Sequence, residues 1–139
     1  MTIRQLSVFM ENKPGNLNDV LAVFSENNIN IASLTVADTD EYGILRLLVS
    51  DPEKAQEKLR EQNFTVRIHD VLSLEMNPEP GSLFKILHYF AQADISMEYV
   101  YAFSYGSKSI VVFRTNNREK ALEVIKDNNL QPITEKDLK

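Results

Sequence analysis

Two short segments carry residue types and a spacing suited to holding a small charged molecule. They are Glu11-Asn12-Lys13-Pro14-Gly15-Asn16-Leu17 and Asn77-Pro78-Glu79-Pro80-Gly81-Ser82-Leu83. In each, a stretch of alternating apolar residues ends at Pro-Gly, and apolar residues at helical spacing follow. Each segment therefore joins a strand to the start of a helix. There, backbone N–H groups have no intrahelical acceptor and the helix dipole is positive, which favours a carboxylate or phosphate. Gly15 and Gly81 lack a Cβ, so a ligand can come close to the backbone. Asn12 offers a donor and an acceptor, matching the two ends of a zwitterion. A Pro-Gly pair can also do no more than start a helix, but here it occurs twice in the same setting.

The remaining reactive residue types point away from catalysis. His69 and His88 are the only histidines and lie in no metal-binding spacing. His88 falls on a helix beside its apolar stripe, and His69 falls where two repeats meet. Asp38, Asp40 and Glu41 could imitate paired catalytic carboxylates but read as a solvated turn. Arg46 and Arg114 are strand residues able to grip a carboxylate, yet Arg46 aligns with Val112 rather than with Arg114. The chain has no cysteine, which removes disulfides, thiolate nucleophiles and cysteine metal sites. No nucleophile–base pair, P-loop or nucleotide fingerprint is present. The expectation is a binding protein without metal or cofactor, not an enzyme.

The 139 residues are 43% hydrophobic and 25% charged, an ordinary globular composition. A net charge of −5 opposes bulk attraction to nucleic acid or an anionic membrane. The first residues, Met1-Thr2-Ile3-Arg4-Gln5, lack the apolar stretch of a signal peptide, and no run is long enough to span a bilayer. With the missing cysteines, this suggests the cytoplasm.

The two loops belong to a longer repetition. Pro14-Gly15-x-Leu17 recurs 66 positions later as Pro80-Gly81-x-Leu83, and the same offset pairs residues along most of the chain without a gap. Leu6 falls on Leu72, Leu21 on Leu87, Phe24 on Phe90, Ile29 on Ile95, and Glu53-Lys54-Ala55 on Glu119-Lys120-Ala121. The periodicities within the first copy predict a strand over 3–10 and a helix over about 15–26, closed by Asn27-Asn28. Strands follow over 30–37, with Leu34 and Val36 inward, and over 42–49. A helix capped by Asp51 with Pro52 at its first position comes next, then a strand over 65–68. The second copy repeats this with strand 70–76, a helix carrying Leu83, Ile86, Leu87 and Phe90, strands at about 97–104 and 109–115, a helix over 118–127 and a short strand near 131–134.

The order βαββαβ implies an α+β, ferredoxin-like plait, an antiparallel sheet with two helices on one face. Residues 1–68 would form one module and 69–139 the other. Val66, Ile68, Leu72, Leu74 and Met76 keep one parity, so a continuous strand could run from one copy into the next. Tyr99, Tyr101, Phe103 and Tyr105 alternate along one strand, opposite Val100 and Ala102, which suit the helix-covered core. Their counterparts Ser33, Thr35, Ala37 and Thr39 are small. Such an exposed aromatic row calls for cover, as do exposed sheet edges, and a homodimer is the expected solution.

These motifs carry a family resemblance. The chain resembles tandem ACT-domain proteins through Asn12-Lys13-Pro14-Gly15-Asn16-Leu17, Asn28-Ile29-Asn30-Ile31, Gly81-Ser82-Leu83 and Asp94-Ile95-Ser96-Met97, across essentially its whole length. The resemblance implies regulatory modules that bind an amino acid between paired domains. Contacts would come from the first strand–helix loop of one module and the second strand of its neighbour. Carried over, that implies Asn12, Lys13, Pro14, Gly15, Asn16 and Leu17 with Asn30, Ile31 and Ala32. In copy two it implies Glu79, Pro80, Gly81, Ser82 and Leu83 with Ser96 and Met97. The copies differ where the pattern has Asn12, since the counterpart is Pro78 with Asn77 one place earlier. ACT domains are commonly fused to an enzyme or a DNA-binding domain. Here the output would pass through a separate partner, a regulated enzyme or transporter. The acidic loops favour an amino acid with a cationic or hydrogen-bonding side chain, such as histidine. Two rivals share the fold order. An RRM-type nucleic-acid binder needs aromatics where Leu6-Ser7-Val8-Phe9 and Ile44-Leu45-Arg46-Leu47 stand. An acylphosphatase-type hydrolase needs an arginine in the first loop, where Lys13 is the only basic residue.

Overall fold

The computed structural model describes residues 2–38 and 41–138. Two compact units divide it, one of Arg4–Asp70 and one of Val71–Leu138 joined by Thr2–Ile3. In chain order the elements are β1 (Thr2–Glu11), α1 (Asn16–Glu26), β2 (Ile31–Asp38), β3 (Tyr42–Val49), α2 (Pro52–Glu61), β4 (Thr65–Met76), α3 (Ser82–Gln92), β5 (Met97–Tyr105), β6 (Lys108–Thr115), α4 (Arg118–Asp127), β7 (Gln131–Pro132) and a 3-10 turn (Glu135–Leu138). The fold is βαββαβ repeated twice. The first unit orders its strands β2-β3-β1-β4, and the second orders its own β5-β6-β4-β7. The short strands expected on either side of His69 are one strand, β4, whose residues up to Asp70 serve the first unit and the rest the second.

Each unit has its own core, and the two cores use the same positions. The first buries Leu6, Val8, Val20, Phe24, Ile29, Leu45, Leu47, Ala55 and Leu59. The second buries Leu72, Leu74, Ile86, Phe90, Ile95, Val111, Phe113, Ala121 and Ile125, each 66 residues on from its counterpart. The helix boundaries repeat in the same way. Asp51 Oδ1 accepts from the Lys54 amide at 3.2 Å, and Asn117 Oδ1 from the Lys120 amide at 3.1 Å, two equivalent side-chain caps. Asn28 and Asp94 follow α1 and α3 with φ of 56° and 58°, in the left-handed region that short polar side chains tolerate.

Leu34 and Val36 correct one expectation. They pair with Leu47 and Leu45, so they face the helix side, but they remain 38% and 46% exposed. β2 is an edge strand, and no helix of the unit closes over these positions. Val100 and Ala102 repeat the situation. They pair with the core residues Phe113 and Val111, yet both are exposed.

The aromatic row differs too. Tyr99, Tyr101 and Phe103 pair with Arg114, Val112 and Ile110 on the face away from the helices, as expected, but the row is half-buried rather than open. The residues after β7 account for part of this. The Ile133 amide donates to the Ser73 carbonyl at 2.9 Å, and the Tyr105 hydroxyl to the Leu138 carbonyl at 2.8 Å. Lys108 pairs with Asp137 at 3.3 Å, and Ile133 and Leu138 are buried. The Ser73 and Thr115 hydroxyls are buried with no hydrogen-bond partner among the described residues.

Candidate functional site

The first loop turns by a left-handed glycine. Gly15 has φ 89° and serves as the N-cap of α1 without a side-chain cap. A Cβ built there would meet nothing within 4 Å. The glycine is therefore demanded by the backbone angle, not by crowding, and the space beside it is open. Its amide and those of Leu17 and Asn18 make no backbone hydrogen bond among the described residues, whereas Asn16 donates to the Lys13 carbonyl at 3.2 Å. Gly81, also at φ 89°, repeats this at α3: the amides of Gly81, Leu83 and Phe84 are free of such bonds, and Ser82 donates to the Glu79 carbonyl at 3.2 Å. Both turns thus keep three donors available to an acceptor from outside.

Their surroundings differ. In the first loop the Asn12 amide donates to the Glu41 carbonyl at 3.0 Å, and the Asn16 side chain donates to the Glu11 carbonyl at 2.7 Å. Lys13 pairs with Glu11 at 2.7 Å, and that carboxylate raises the lysine pKa above its ordinary value of 10.5. In the second loop Pro78 stands where Asn12 was and has no N–H to give. Ser82 replaces Asn16 and makes no side-chain bond back to Asn77. Glu79 and Pro80 are exposed. Asp40 lies outside the described residues.

The other predicted contacts sit at the start of β2 and β5. The Asn30 amide donates to Ser50 Oγ at 3.0 Å and the Ser50 amide returns a bond to the Asn30 carbonyl at 3.0 Å. Ser96 and Asn116 form the same bracket, at 3.1 and 3.2 Å. The strand register breaks between Ile31 and Ser33 and again between Met97 and Tyr99, so Ala32 sits at a bulge of the kind that re-aims side chains. Ile31 is 38% exposed. The side chains of Leu17, Leu83 and Met97 pack onto the cores and leave mainly their backbone for a ligand.

Strand register separates the two halves of the predicted site. Along β3, Glu11 pairs with Tyr42 at one end and Ile31 with Val49 at the other. Seven residue steps of strand separate them, about 24 Å at roughly 3.4 Å per residue. β6 does the same in the second unit, where Met76 pairs with Ser109 and Met97 with Thr115. No small ligand spans that distance, so a unit cannot complete such a site alone.

One polar groove lies wholly within the second unit. It encloses about 440 Å³ beside the second loop, between the start of α3 and the turn from α4 to β7. Glu75, Asn77, Ser82, Lys85, Tyr89 and the stretch Asn128–Gln131 line it, over Met76 and Ile86. A more apolar hollow of about 480 Å³ adjoins it along α4 and shares Asn129, Leu130 and Gln131. Of the groove residues, Ser82 is a contact that the family resemblance implies, and Asn77 opens the second of the two loops that the spacing picks out. The available signal was divergence between the copies: Lys85 stands where Asp19 is, and Tyr89 where Val23 is. No cluster of three or more His, Cys, Asp or Glu among the described residues could hold a metal, and no helix among them is long and apolar enough to cross a membrane.

Comparison with known proteins agrees with this architecture. A family model described as an ACT domain pair matches residues 1–139. The acetolactate synthase isozyme 3 small subunit of Escherichia coli is 41% identical over 61 residues, which cover 42% of this chain and 37% of that protein. The acetolactate synthase small subunit of Haemophilus influenzae is 43% identical over 53 residues, 38% of this chain and 32% of that one. The match thus spans about a third of each of these relatives. Among solved structures, a protein from Bacteroides thetaiotaomicron superposes with a TM-score of 0.92 at 38% identity, covering 99% of this chain and 96% of that one. The regulatory subunit of aspartate kinase from Thermus thermophilus has a TM-score of 0.60 at 14% identity, covering 89% and 91%, a likeness of fold.

Proposed function

The chain belongs to the ACT domain pair family, and from that premise we propose that it is a regulatory protein that senses a free amino acid. The carrying observation is the pair of Gly15 and Gly81 turns, each leaving three amides free of backbone bonds at the start of a helix. Such donors, with the helix dipole behind them, suit a carboxylate. The ligand lies between ACT modules. Residues 12–17 or 79–83 of one module take its carboxylate, and residues 30–32 or 96–97 of another close over its remainder. The wide separation of these halves along β3 and β6 supports a shared site, because one module supplies only half of the contacts. A second copy of the chain supplies the complementary module. β2 favours that pairing, being an edge strand with Leu34 and Val36 exposed.

The ligand carries a cationic or hydrogen-bonding side chain, and histidine is the first to try, because the loops are acidic in sequence, with Glu11, Asp38, Asp40 and Glu79. The output is an enzyme or transporter on a separate chain, and the protein itself performs no catalysis in the cytoplasm. The relatives named as small subunits of acetolactate synthase support an enzyme as the regulated partner. Thermal melts in the presence of each of the twenty amino acids test the proposal. A ligand that binds only the folded form raises the midpoint by mass action, by about 2.7 kcal/mol of stability at one hundred times its Kd. Sedimentation of the same samples should show the chain associating more tightly when that ligand is present. Melts unchanged by all twenty would sink the reading.

A further inference from the structure

We propose that the hollow along α4 is a binding site for an aliphatic monocarboxylate, a molecule with a hydrocarbon chain and one anionic end. It lies wholly within the second unit and encloses about 480 Å³, in the range of small-ligand pockets. Leu122, Ile125, Leu130 and Pro132 give it an apolar lining, and Glu123 and Lys126 stand on its rim. Neither rim charge is tied by an ion pair among the described residues.

The first module has the same space closed. The residues in register with Leu122, Lys126 and Pro132 are Gln56, Arg60 and Val66. Gln56 Nε2 donates to the Val66 carbonyl at 3.4 Å, and Arg60 Nη2 donates to the same oxygen at 3.1 Å. Two polar side chains thus bridge from α2 to β4. In the second module a leucine replaces the glutamine, so the first of these bridges cannot form. An apolar lining and an unpaired cation stand in their place.

The first module also fixes which charge serves the hollow. Arg60 shows that a long side chain at this position reaches the strand. Glu57, in register with Glu123, is exposed and makes no such crossing. Lys126 is therefore the charge placed to meet a ligand, and Glu123 faces the solvent. A carboxylate pairs with Lys126 while its hydrocarbon chain covers the lining and leaves water. A second carboxylate would be drawn toward the rim beside Glu123 and repelled, which selects a single anionic end. The site shares no residue with the amino-acid site proposed above and does not rest on it.

The test is amide chemical-shift mapping of the intact chain titrated separately with octanoate, octanol and octylammonium, which share a hydrocarbon chain and differ in charge. The expected result is shifts grouped at Leu122, Lys126, Leu130 and Gln131, saturating at the lowest concentration for octanoate. Lys126→Glu should weaken octanoate about tenfold and favour octylammonium instead. Lys126 is exposed, and an unchanged melting midpoint for this variant shows that the fold is intact. The double variant Leu122→Gln with Lys126→Arg restores the first module's pair and should abolish octanoate binding. Octanol or octylammonium binding as tightly as octanoate would overturn the carboxylate assignment. Absence of shifts at these residues would overturn the site. Shifts there that grow with protein concentration alone, and vanish in the double variant, would make the hollow a protein contact and overturn the ligand.

Discussion

The two modules repeat the same core positions and differ in their loops. Nine buried positions repeat at the 66-residue offset and all stay apolar, with Leu47 and Phe113 the largest change of size, while the loop polar groups are bonded inward in the first copy and released in the second. A core admits little variation because it is close-packed, and a change of one methylene is felt throughout. A loop facing solvent has no such restraint, so it is where two copies of one module can acquire different chemistry.

The core comparison can be broken most forcefully. Phe24→Ala and Phe90→Ala each remove a fully buried ring and should cost about 3–5 kcal/mol. Denaturant unfolding should give similar losses for the two. A value under about 1 kcal/mol for either would mean that its core is not packed like the other.

The glycine turns come next. Gly15→Ala and Gly81→Ala meet no neighbour, so their cost is backbone strain alone, about 1–2 kcal/mol each. Asparagine tolerates this region better than alanine does, so Gly15→Asn should lose less. Equal losses for Ala and Asn would show that something other than φ sets the cost. The caps are subtler. Asp51→Ala and Asn117→Ala should each lose about 1 kcal/mol, with the loss confined to α2 or α4 by hydrogen exchange.

The smallest effect belongs to the segment after β7. A hydrogen bond from the Thr134 amide, assisted by Lys108, holds the Asp137 carboxyl below its ordinary value of 3.8. A carboxyl depressed in the folded state stabilises it above pH 3.8. That contribution fades as pH falls through the lower folded value. Exchange of the Thr134 amide should therefore accelerate below pH 3.8, and Lys108→Met should move the change to higher pH. Acceleration already complete at pH 5 would contradict the assignment.

The fold was legible because two copies reinforced one another. The offset of 66, with Pro-Gly, Asp51-Pro52 and Asn27-Asn28 as punctuation, located every helix. What escaped has physical causes. Alternation in β2 and β5 assigned faces correctly, but periodicity reports which side a residue is on, not whether a helix reaches it. Hence Leu34, Val36, Val100 and Ala102 share the helix side without being buried. The 3-10 turn of Glu135–Leu138 carries a polar, charged sequence whose only clue to docking is Leu138. The groove combines residues from β4, α3 and the α4–β7 turn, distant in sequence and joined only by folding. The loop residues 12–17 and 79–83 were visible from their spacing, but the distance of 30–32 from 12–17 followed only from strand pairing.

That distance has a consequence for how signal and abundance are connected. If half of each receptor travels on another copy, then occupancy depends on how much protein is present as well as on how much metabolite. At low expression the chain would be deaf to concentrations that a crowded population registers readily. A dilution series at fixed metabolite would reveal such a threshold, which a self-contained receptor would lack.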